Sequence, residues 1–358
     1  MPTNHRATPA SIIVNSSPRN SSEATYLCRG AAADIWRVSS PASNSQRIRK
    51  ELRIVDPMYC QERTEAITTN FKLHTDPWPS FVQAYRDQVA AWSLINHRNV
   101  VRLFGPSDAW SFDVEYCENG CVRDYLKSHP NADKLSMMRD VLGGMKYLHT
   151  LTSPVIHGSL NAGKLFVSRD GTTKIGEFGL AALCHPVAAL VPSVNLAGLS
   201  RWLSPELIEF GDGDTIKTTK ASDVWALGCT LFEIVAEKLP YSRHRHDVKI
   251  QQQILGGNPP GCRDNTTGLS YLDFVRPLME SCWLPLPSDR PTVPMLVKLF
   301  DETFADIRAG RAANQPPAKS PDPPLTGPSV HRSLLKPQPG QAPKFKRIRH
   351  ALNLLQPD

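Results

Sequence analysis

The sequence of 358 residues lacks the features of a membrane-spanning, secreted or zinc-binding chain. It has no unbroken run of about 18 apolar residues, so we expect no transmembrane segment. The polar N-terminus has no apolar core of a signal peptide. The eight cysteines include no C-x-x-C pair, which argues against a disulfide framework or a zinc site. We expect reduced thiols in a cytoplasmic or nuclear protein.

Positive charge is concentrated at the C-terminal end. Of the formal net charge of +7, residues 311–358 contribute +6, from eight Lys/Arg and two Asp, and the core is about neutral. Nucleic acid is therefore not an expected partner of the core. For the basic segment 344–352, the alternatives are a helix that binds an acidic partner or membrane surface, a nuclear address, or a solvated tail.

Composition and periodicity divide the chain into four parts. Residues 1–23 are polar, and residues 311–358 contain ten prolines, so we expect both ends to be disordered. Ile48, Lys50 and Leu52 alternate with charged residues at 47, 49 and 51, the period of a half-buried strand, and predict a strand in a small β-rich lobe over 24–114. Apolar periodicity predicts a helical lobe over 115–310. We predict helices at 81–95, 137–151 and 222–237, and a strand at 100–104.

Several short segments follow one another in an informative order. They are NVVRLFG at 99–105, VEYCENG at 114–120, VIHGSLNAGKLF at 155–166, KIGEFGLA at 174–181, SPE at 204–206, ASDVWALG at 221–228, CW at 282–283 and DRP at 289–291. In order and spacing they resemble the motifs of the protein kinase superfamily, and the last two resemble its tyrosine-kinase-like group. The resemblance implies an α+β fold with a small β-rich lobe and a large helical lobe.

The residues that should carry the chemistry depart from the family pattern. Ser159 stands where the family has its aspartate base, and a neutral hydroxyl cannot accept the substrate proton as a carboxylate does. Lys164 stands in place of the metal-binding asparagine, and Glu177 replaces the aspartate of D-F-G. The resemblance implies either that Glu177 still holds one Mg²⁺ or that it pairs with Lys164 or Lys50 and closes the site.

The nucleotide-binding positions are also altered. The resemblance assigns them to seven residues: Gly30, Ile35, Ile48, Lys50, Glu115, Cys117 and Phe166. Gly30 is the only glycine kept in the loop that would approach the phosphates. We expect Ile48 and Phe166, which are larger than the family's residues, to narrow the adenine slot. ATP and Mg²⁺ are thus doubtful cofactors.

The structural positions of the family are better preserved. By resemblance, Glu206 pairs with Arg290 in the large lobe, and Asp223 holds the backbone of the catalytic loop. His157, Phe178 and Trp92 are expected to stack in the hydrophobic spine. Gln88 stands where the family has the glutamate that pairs with its conserved lysine, here Lys50.

The sequence supports two principal hypotheses and a third. The first is a pseudokinase that scaffolds or regulates a protein partner, such as another kinase or a signalling protein. The second is an atypical, weakly active ATP-dependent Ser/Thr kinase that uses Lys50 and Glu177 with one metal ion. The third makes the basic tail the functional part. The closed-site interpretation predicts that Lys164 and Glu177 lie within ion-pair distance.

Overall fold

A computed structural model describes residues 24–30, 33–39, 45–52, 78–108, 110–177, 199–209, 218–260 and 270–313. Residues 1–23 and 314–358, for which disorder is predicted, lie outside these ranges. So does most of segment 55–80, in which prolines at 57, 77 and 79 predict a long insertion. The described residues up to Val297 belong to one compact unit, and Lys298 to Ala313 belong to a second.

In the part of the chain that the structure describes, the small lobe consists of an antiparallel five-stranded sheet and one helix. The strands are β1 (Ala24–Arg29), β2 (Ala33–Ser39), β3 (Gln46–Leu52), β4 (Leu103–Asp108) and β5 (Ser111–Glu115), in the order β1-β2-β3-β5-β4. The predicted strand at 47–52 lies within β3. Its register places Lys50 opposite Ile35 of β2 and Phe112 of β5.

Helix α1 (Trp78–Ser93) packs on this sheet, and its apolar residues recur at the spacing of one helix face. Tyr85, Val89 and Trp92 are buried, and the Trp92 ring meets the Phe112 ring edge-on with centroids 5.5 Å apart. The Trp92 indole N–H donates to the carbonyl of Val101 at 3.1 Å. The helix thus packs its apolar face against the sheet.

The predicted strand at 100–104 is wrong in position. Val100 forms only an isolated bridge to Ile175, and β4 begins at Leu103 and continues through Gly105 and Pro106. A proline is tolerated there because β4 is the edge strand and lacks regular pairing on one side.

The large lobe is mainly helical. Among the residues described here, the helices are α2 (Val122–Ser128), α3 (Lys134–Thr150), α4 (Pro205–Ile208), α5 (Lys220–Ala236), α6 (Asp247–Leu255), α7 (Ser270–Cys282) and α8 (Val293–Ala313). A two-stranded sheet joins β6 (Leu165–Val167) to β7 (Thr173–Ile175). The predicted helices at 137–151 and 222–237 correspond to α3 and α5.

Helix α5 is the centre of this lobe, since every residue from Ser222 to Ala236 is buried. It begins at a capping box formed by Thr219 and Ser222 and ends at Glu237, which has a left-handed φ of 52°. Gly228 lets α7 approach, because a Cβ there would lie 2.6 Å from the Cβ of Cys282. The segment can therefore serve as a rigid base for the loops around it.

Helix α8 extends to Ala313, three residues beyond the predicted limit of the large lobe. Lys298 to Ala313 is the described part of the second unit, in which Phe300 and Phe304 stack with ring centroids 6.1 Å apart. Among the described residues, no helix has both the length and the apolar content needed to cross a membrane.

Candidate functional site

The loop between α3 and β6 is held by one buried carboxylate. Asp223, in the first turn of α5, is 1% exposed and accepts hydrogen bonds from the backbone N–H groups of His157 at 2.7 Å and Gly158 at 2.8 Å. Nε2 of His149 lies 2.9 Å from the same carboxylate. Gly158 has a φ of 74°, a conformation that favours glycine. Asp223 therefore lies where the resemblance assigned it, beneath the backbone of the loop.

His157 is a core residue. Its side chain is fully buried, its Nε2 lies 3.1 Å from the carbonyl oxygen of Gly176, and its Nδ1 accepts from the backbone N–H of Ser159 at 3.4 Å. Burial, followed by the charge of Lys164, lowers the pKa of His157 to about 4. The imidazole is thus neutral near pH 7 and joins the loop to the segment after β7.

Lys50 and Glu177 form an ion pair. The Lys50 side chain is 9% exposed and that of Glu177 29%. Burial acts to raise the pKa of Glu177, but the charges of Lys50 and Lys164 outweigh it and lower this pKa to about 2. Glu177 is therefore an ionised carboxylate neutralised by the protein itself. Its backbone φ of 62° is uncommon for a residue other than glycine.

Ser159 and Lys164 contact each other directly. The turn Ala162–Lys164 brings the Lys164 ammonium group to 2.5 Å from the Ser159 hydroxyl, to which it donates. The charge of Lys164 also acts to lower the pKa of Glu177, and the backbone carbonyl of Lys164 accepts from the N–H of Gly176, the residue before Glu177, at 3.0 Å. A direct contact of Lys164 with Glu177 stays a prediction. The position of the family's base is thus a buried hydroxyl bound to a cation.

Phe166 and Ile48, which the resemblance places at the nucleotide slot, both lie within the described residues. The Phe166 ring packs on Gly176, where a Cβ would lie 2.9 Å from the ring, and Lys50 Nζ lies 5.1 Å from the ring centroid. Ile48 is half-buried on β3 opposite Val114. The narrowing of the adenine slot stays a prediction.

The β1–β2 hairpin carries the first two predicted nucleotide-binding residues. The Gly30 N–H donates to the carbonyl of Ala33 at 2.8 Å, and a Cβ on Gly30 would lie 3.0 Å from that oxygen. Glycine at this position therefore keeps the hairpin tight. Ile35 pairs with Lys50 across β2 and β3.

The segment after β5, which links the lobes, is held by charged contacts. Glu115 accepts from Lys174 at 2.6 Å and from the backbone N–H of Arg102 at 3.2 Å. Cys117 is buried, and burial raises the pKa of its thiol to about 12, with the Glu115 charge acting in the same direction. Cys117 is therefore a thiol and not a reactive thiolate.

The remaining predicted structural residues are placed as follows. Gln88 is half-buried on α1, and a contact between Gln88 and Lys50 stays a prediction. The ring contact shown for Trp92 is with Phe112, and Phe178 lies outside the described residues. The proposed spine of Trp92, His157 and Phe178 is therefore untested as a stack.

Glu206 and Arg290 form a bidentate ion pair, in which each of two Arg290 guanidinium nitrogens donates to one Glu206 carboxylate oxygen at 2.7 Å. The Arg290 side chain is fully buried and also donates to the carbonyls of Ala221, Leu284 and Pro285. Burial acts to raise the pKa of Glu206, but hydrogen bonding, from Arg290 first, keeps it below its ordinary value. The pair connects α4 to the loop before α8.

A second buried acid, Glu233, was missed from the sequence. It is 5% exposed and accepts from Arg123 at 2.9 Å, from the backbone N–H of Ala162 at 3.0 Å and from the Trp202 indole at 2.8 Å. Burial raises its pKa. The sequence does contain a sign of this site, since Glu233 is the one acid in the otherwise apolar part of α5. A buried charge requires hydrogen-bond or ion-pair partners, so an acid at this position indicates a buried polar contact.

The arrangement does not fit the divalent metal that the fold family implies. Within the described part of the chain, no three His, Cys, Asp or Glu side chains gather in a way that could hold a metal ion. Glu177 is already neutralised by Lys50, and Lys164 brings a cation to the position of an oxygen ligand. Because Mg²⁺ requires oxygen ligands, these residues make a poor site for it.

Comparison with known proteins identifies the fold family. "Probable serine/threonine-protein kinase WNK10" of Arabidopsis thaliana is 29% identical over 234 residues, 62% of this chain and 41% of the relative. "Tyrosine-protein kinase SPK-1" of Girardia tigrina is 30% identical over 230 residues, 61% of this chain and 45% of the relative. "Serine/threonine-protein kinase cst-1" of Caenorhabditis briggsae is 28% identical over 243 residues, which are 65% of this chain and 46% of the relative.

The matched region thus spans less than half the length of each of these relatives. The profile of the family "Protein tyrosine and serine/threonine kinase" matches residues 45–300 and so covers most of both lobes. Together with the strand order of the small lobe and the anchoring of the loop by Asp223, this match shows that the chain belongs to the protein tyrosine and serine/threonine kinase family.

Proposed function

We propose that this protein is a pseudokinase of the tyrosine-kinase-like group, which regulates or scaffolds a signalling protein without transferring phosphate. The observation that carries the proposal is the contact between Lys164 and Ser159. In an active kinase these positions supply a carboxylate that orients the substrate hydroxyl and an amide that binds metal. Here they supply a neutral hydroxyl and a cation, bound to each other.

The ion pair of Lys50 with Glu177 supports the same conclusion. Phosphoryl transfer depends on metal charge and on a lysine that positions the phosphates. In this site the lysine and the remaining carboxylate neutralise each other. Two of the groups that would act on ATP are therefore engaged within the protein.

The test is phosphate transfer by the full-length protein, with radiolabelled ATP, Mg²⁺ or Mn²⁺, and a general acceptor such as casein. We expect no incorporation above that of Lys50→Ala. As a matched gain-of-function variant, Ser159→Asp/Lys164→Asn restores the family's residues at both positions. Transfer by the unmodified protein that Lys50→Ala abolishes would overturn the proposal.

A second candidate is a weakly active Ser/Thr kinase. It is favoured by the proximity of Lys50 to Glu177 and by the names of two of the relatives above, which describe serine/threonine-protein kinases. Positioning and electrostatic effects carry most of this catalysis, so loss of the base need not abolish it. This candidate requires that activity be lost in both Glu177→Ala and Lys50→Ala.

The partner is expected to be a protein, such as another kinase. Affinity capture with the full-length chain and with a chain that ends at residue 313 separates the folded part from the basic tail. Equal recovery of the same partners by both chains would assign binding to the folded part. Loss of those partners on truncation would favour the tail as the functional segment.

A further inference from the structure

The outer face of the small-lobe sheet carries an exposed aromatic ring beside two arginines. Phe104, on the edge strand β4, is 39% exposed. The guanidinium carbon of Arg47 lies 4.0 Å from the centroid of the Phe104 ring, and that of Arg102 lies 5.3 Å from it. Both distances are within the range of a cation–π contact. We call these three side chains the Arg–Phe cluster.

The strand register places this cluster on the face of the sheet opposite Lys50. Successive side chains of a strand point to opposite faces, so Arg47 and Arg49 of β3 lie on one face and Ile48 and Lys50 on the other. The Arg–Phe cluster is therefore directed away from the ion pair of Lys50 with Glu177. A ligand of the cluster would bind whether or not the protein transfers phosphate.

The neighbouring acids of β5 are already engaged with other cations. Asp113 accepts from two nitrogens of Arg49, at 2.8 and 3.1 Å. Glu115 accepts from Lys174 at 2.6 Å and from the backbone N–H of Arg102 at 3.2 Å. Each of these two carboxylates therefore has its own counterion.

Arg47 and Arg102 keep positive charges that the protein does not neutralise. In the described part of the chain no carboxylate forms an ion pair with either side chain, although Glu115 lies opposite Arg47 in the register. Nε of Arg47 is buried without an acceptor among the described residues. Arg102 is exposed to solvent. The cluster thus offers two guanidinium groups to an anion.

A guanidinium group that packs on an aromatic ring is well prepared to bind a carboxylate. The group is planar and always charged, and its N–H donors match the two oxygens of a carboxylate. Contact with Phe104 restricts the Arg47 side chain before a ligand arrives, which lowers the cost of ordering it on binding. The exposed ring adds an apolar contact beside the charges.

Further aromatic surface lies on the same face of the sheet, toward β1. Trp36 of β2 is opposite Arg49 of β3 in the register, and Tyr26 of β1 is opposite Trp36. The Tyr26 and Trp36 rings meet edge-on with centroids 5.1 Å apart, and Tyr26 is 47% exposed. An extended segment laid across the strands would therefore meet exposed rings at β1 and β4, with arginines between them.

We propose that this face of the small lobe binds an acidic segment of a partner protein, in which Asp or Glu side chains lie beside apolar ones. Arg47 and Arg102 bind the carboxylates, and the exposed rings of Phe104 and Tyr26 contact the apolar side chains. Charge complementarity favours a short acidic peptide over nucleic acid, because binding to a phosphate backbone depends on neutralising many phosphates. The cluster offers two guanidinium groups, and the core as a whole is about neutral.

The experiment measures binding of the full-length protein to fluorescein-labelled synthetic peptides by fluorescence anisotropy. The probe is a peptide of repeated Glu-Glu-Phe units, compared with one of Gln-Gln-Phe units and one of Glu-Glu-Ala units. We expect saturable binding of the Glu-Glu-Phe peptide. The Gln-Gln-Phe peptide, which lacks the carboxylates, should bind at least about tenfold more weakly, and the Glu-Glu-Ala peptide about threefold more weakly.

Variants of the full-length protein assign the binding to this face. Arg47→Gln/Arg102→Gln should weaken binding of the Glu-Glu-Phe peptide by about tenfold or more, and Phe104→Ala by about threefold. The matched control, Arg245→Gln/Lys249→Gln, removes the same amount of positive charge at exposed positions of the large lobe. It should leave the affinity unchanged to within about twofold. Circular dichroism and melting temperature verify that each variant is folded.

Three results would overturn the proposal: no saturable binding of the Glu-Glu-Phe peptide, unchanged affinity in folded Arg47→Gln/Arg102→Gln, or an equal loss in the control variant. The last would mean that the peptide responds only to the overall charge of the protein. A single-stranded polyuridine probe that binds more tightly than the peptide, and depends on Arg47 and Arg102, would replace the acidic peptide with nucleic acid. Phosphate transfer by the protein bears on the proposed function alone.

Discussion

The ammonium group of Lys50 donates to the carboxylate of Glu177, 127 positions away in the chain. Lys50 belongs to the central strand of the small lobe, and Glu177 follows β7 of the large lobe. The pair therefore joins the two lobes and occupies the groups that the family uses for nucleotide and metal. This pairing supports the proposal of a closed catalytic centre, while supporting contacts such as that of Glu206 with Arg290 remain in place.

The Lys50–Glu177 pair should show measurable coupling in a double-mutant cycle. Glu177→Gln leaves the buried Lys50 without its counterion and should reduce the free energy of unfolding by about 3 kcal/mol. Lys50→Met/Glu177→Gln should cost less than the sum of the single changes, with a coupling of about 1–3 kcal/mol. Urea unfolding measures all four proteins.

The matched control for this cycle is the exposed pair Arg169 and Glu118, whose side chains are 85% and 32% exposed. Its coupling should be below about 1 kcal/mol, because water screens the charges. Additive effects at Lys50 and Glu177 would show that their contact contributes nothing to stability.

Loss of Glu206 should strongly destabilise the large lobe. Glu206→Ala leaves the fully buried Arg290 guanidinium without its carboxylate, at a cost of about 3–5 kcal/mol. Chemical unfolding of the full-length variant measures this cost. Asp124→Ala, which breaks an exposed pair with Lys127, is the control and should cost less than about 1 kcal/mol. Similar losses of stability in Glu206→Ala and Asp124→Ala would contradict the view that Glu206 is needed to neutralise the buried Arg290.

His157 should make the fold sensitive to acid. In the unfolded chain its pKa is close to 6.5, whereas burial lowers the folded value to about 4. Between these values the unfolded state binds more protons, so the free energy of unfolding falls as the pH is lowered. Relative to His157→Gln, the natural protein should lose about 3 kcal/mol between pH 7 and pH 4.

The measurement is urea unfolding at a series of pH values. His129→Gln, at an exposed site at the C-terminal end of α2, serves as the control substitution. A natural protein and a His157→Gln variant with parallel pH profiles would show that His157 is not held neutral.

Glu233→Gln should loosen three segments at once. The amide keeps the size of the side chain but offers one oxygen to donors from Arg123, Ala162 and Trp202. We expect a loss of about 2 kcal/mol in stability and faster hydrogen exchange at the Ala162 amide. Glu280→Gln, at an exposed position, is the control. Unchanged exchange at Ala162 would refute this role.

Much of the architecture could be predicted from local signals. The alternation at 47–52 predicted β3, and apolar periodicity predicted α3 and α5 to within a few residues at their ends. Motif order placed Asp223 under the loop and paired Glu206 with Arg290. These features depend on periodicity or on residue types at fixed spacing, both of which a single sequence contains.

The errors have tertiary causes. The strand predicted at 100–104 is displaced because Val100 and Val101 are buried against Ile175, whose carbonyl accepts the Val101 N–H at 2.8 Å. Strand β4, which includes Gly105 and Pro106, begins only where the chain pairs with β5 at the edge of the sheet. Glu233 was overlooked because its three donors come from separate segments.

The sequence by itself determined that this chain folds as a kinase and that Ser159 and Lys164 replace the base and a metal ligand. It left two lysines as partners for Glu177. The tertiary structure decided that Lys50 pairs with Glu177 and that Lys164 donates to Ser159, while a direct contact between Lys164 and Glu177 stays a prediction. The physical reason is that pairing between charged side chains depends on the packing of β3 against the segment after β7, which no local pattern records.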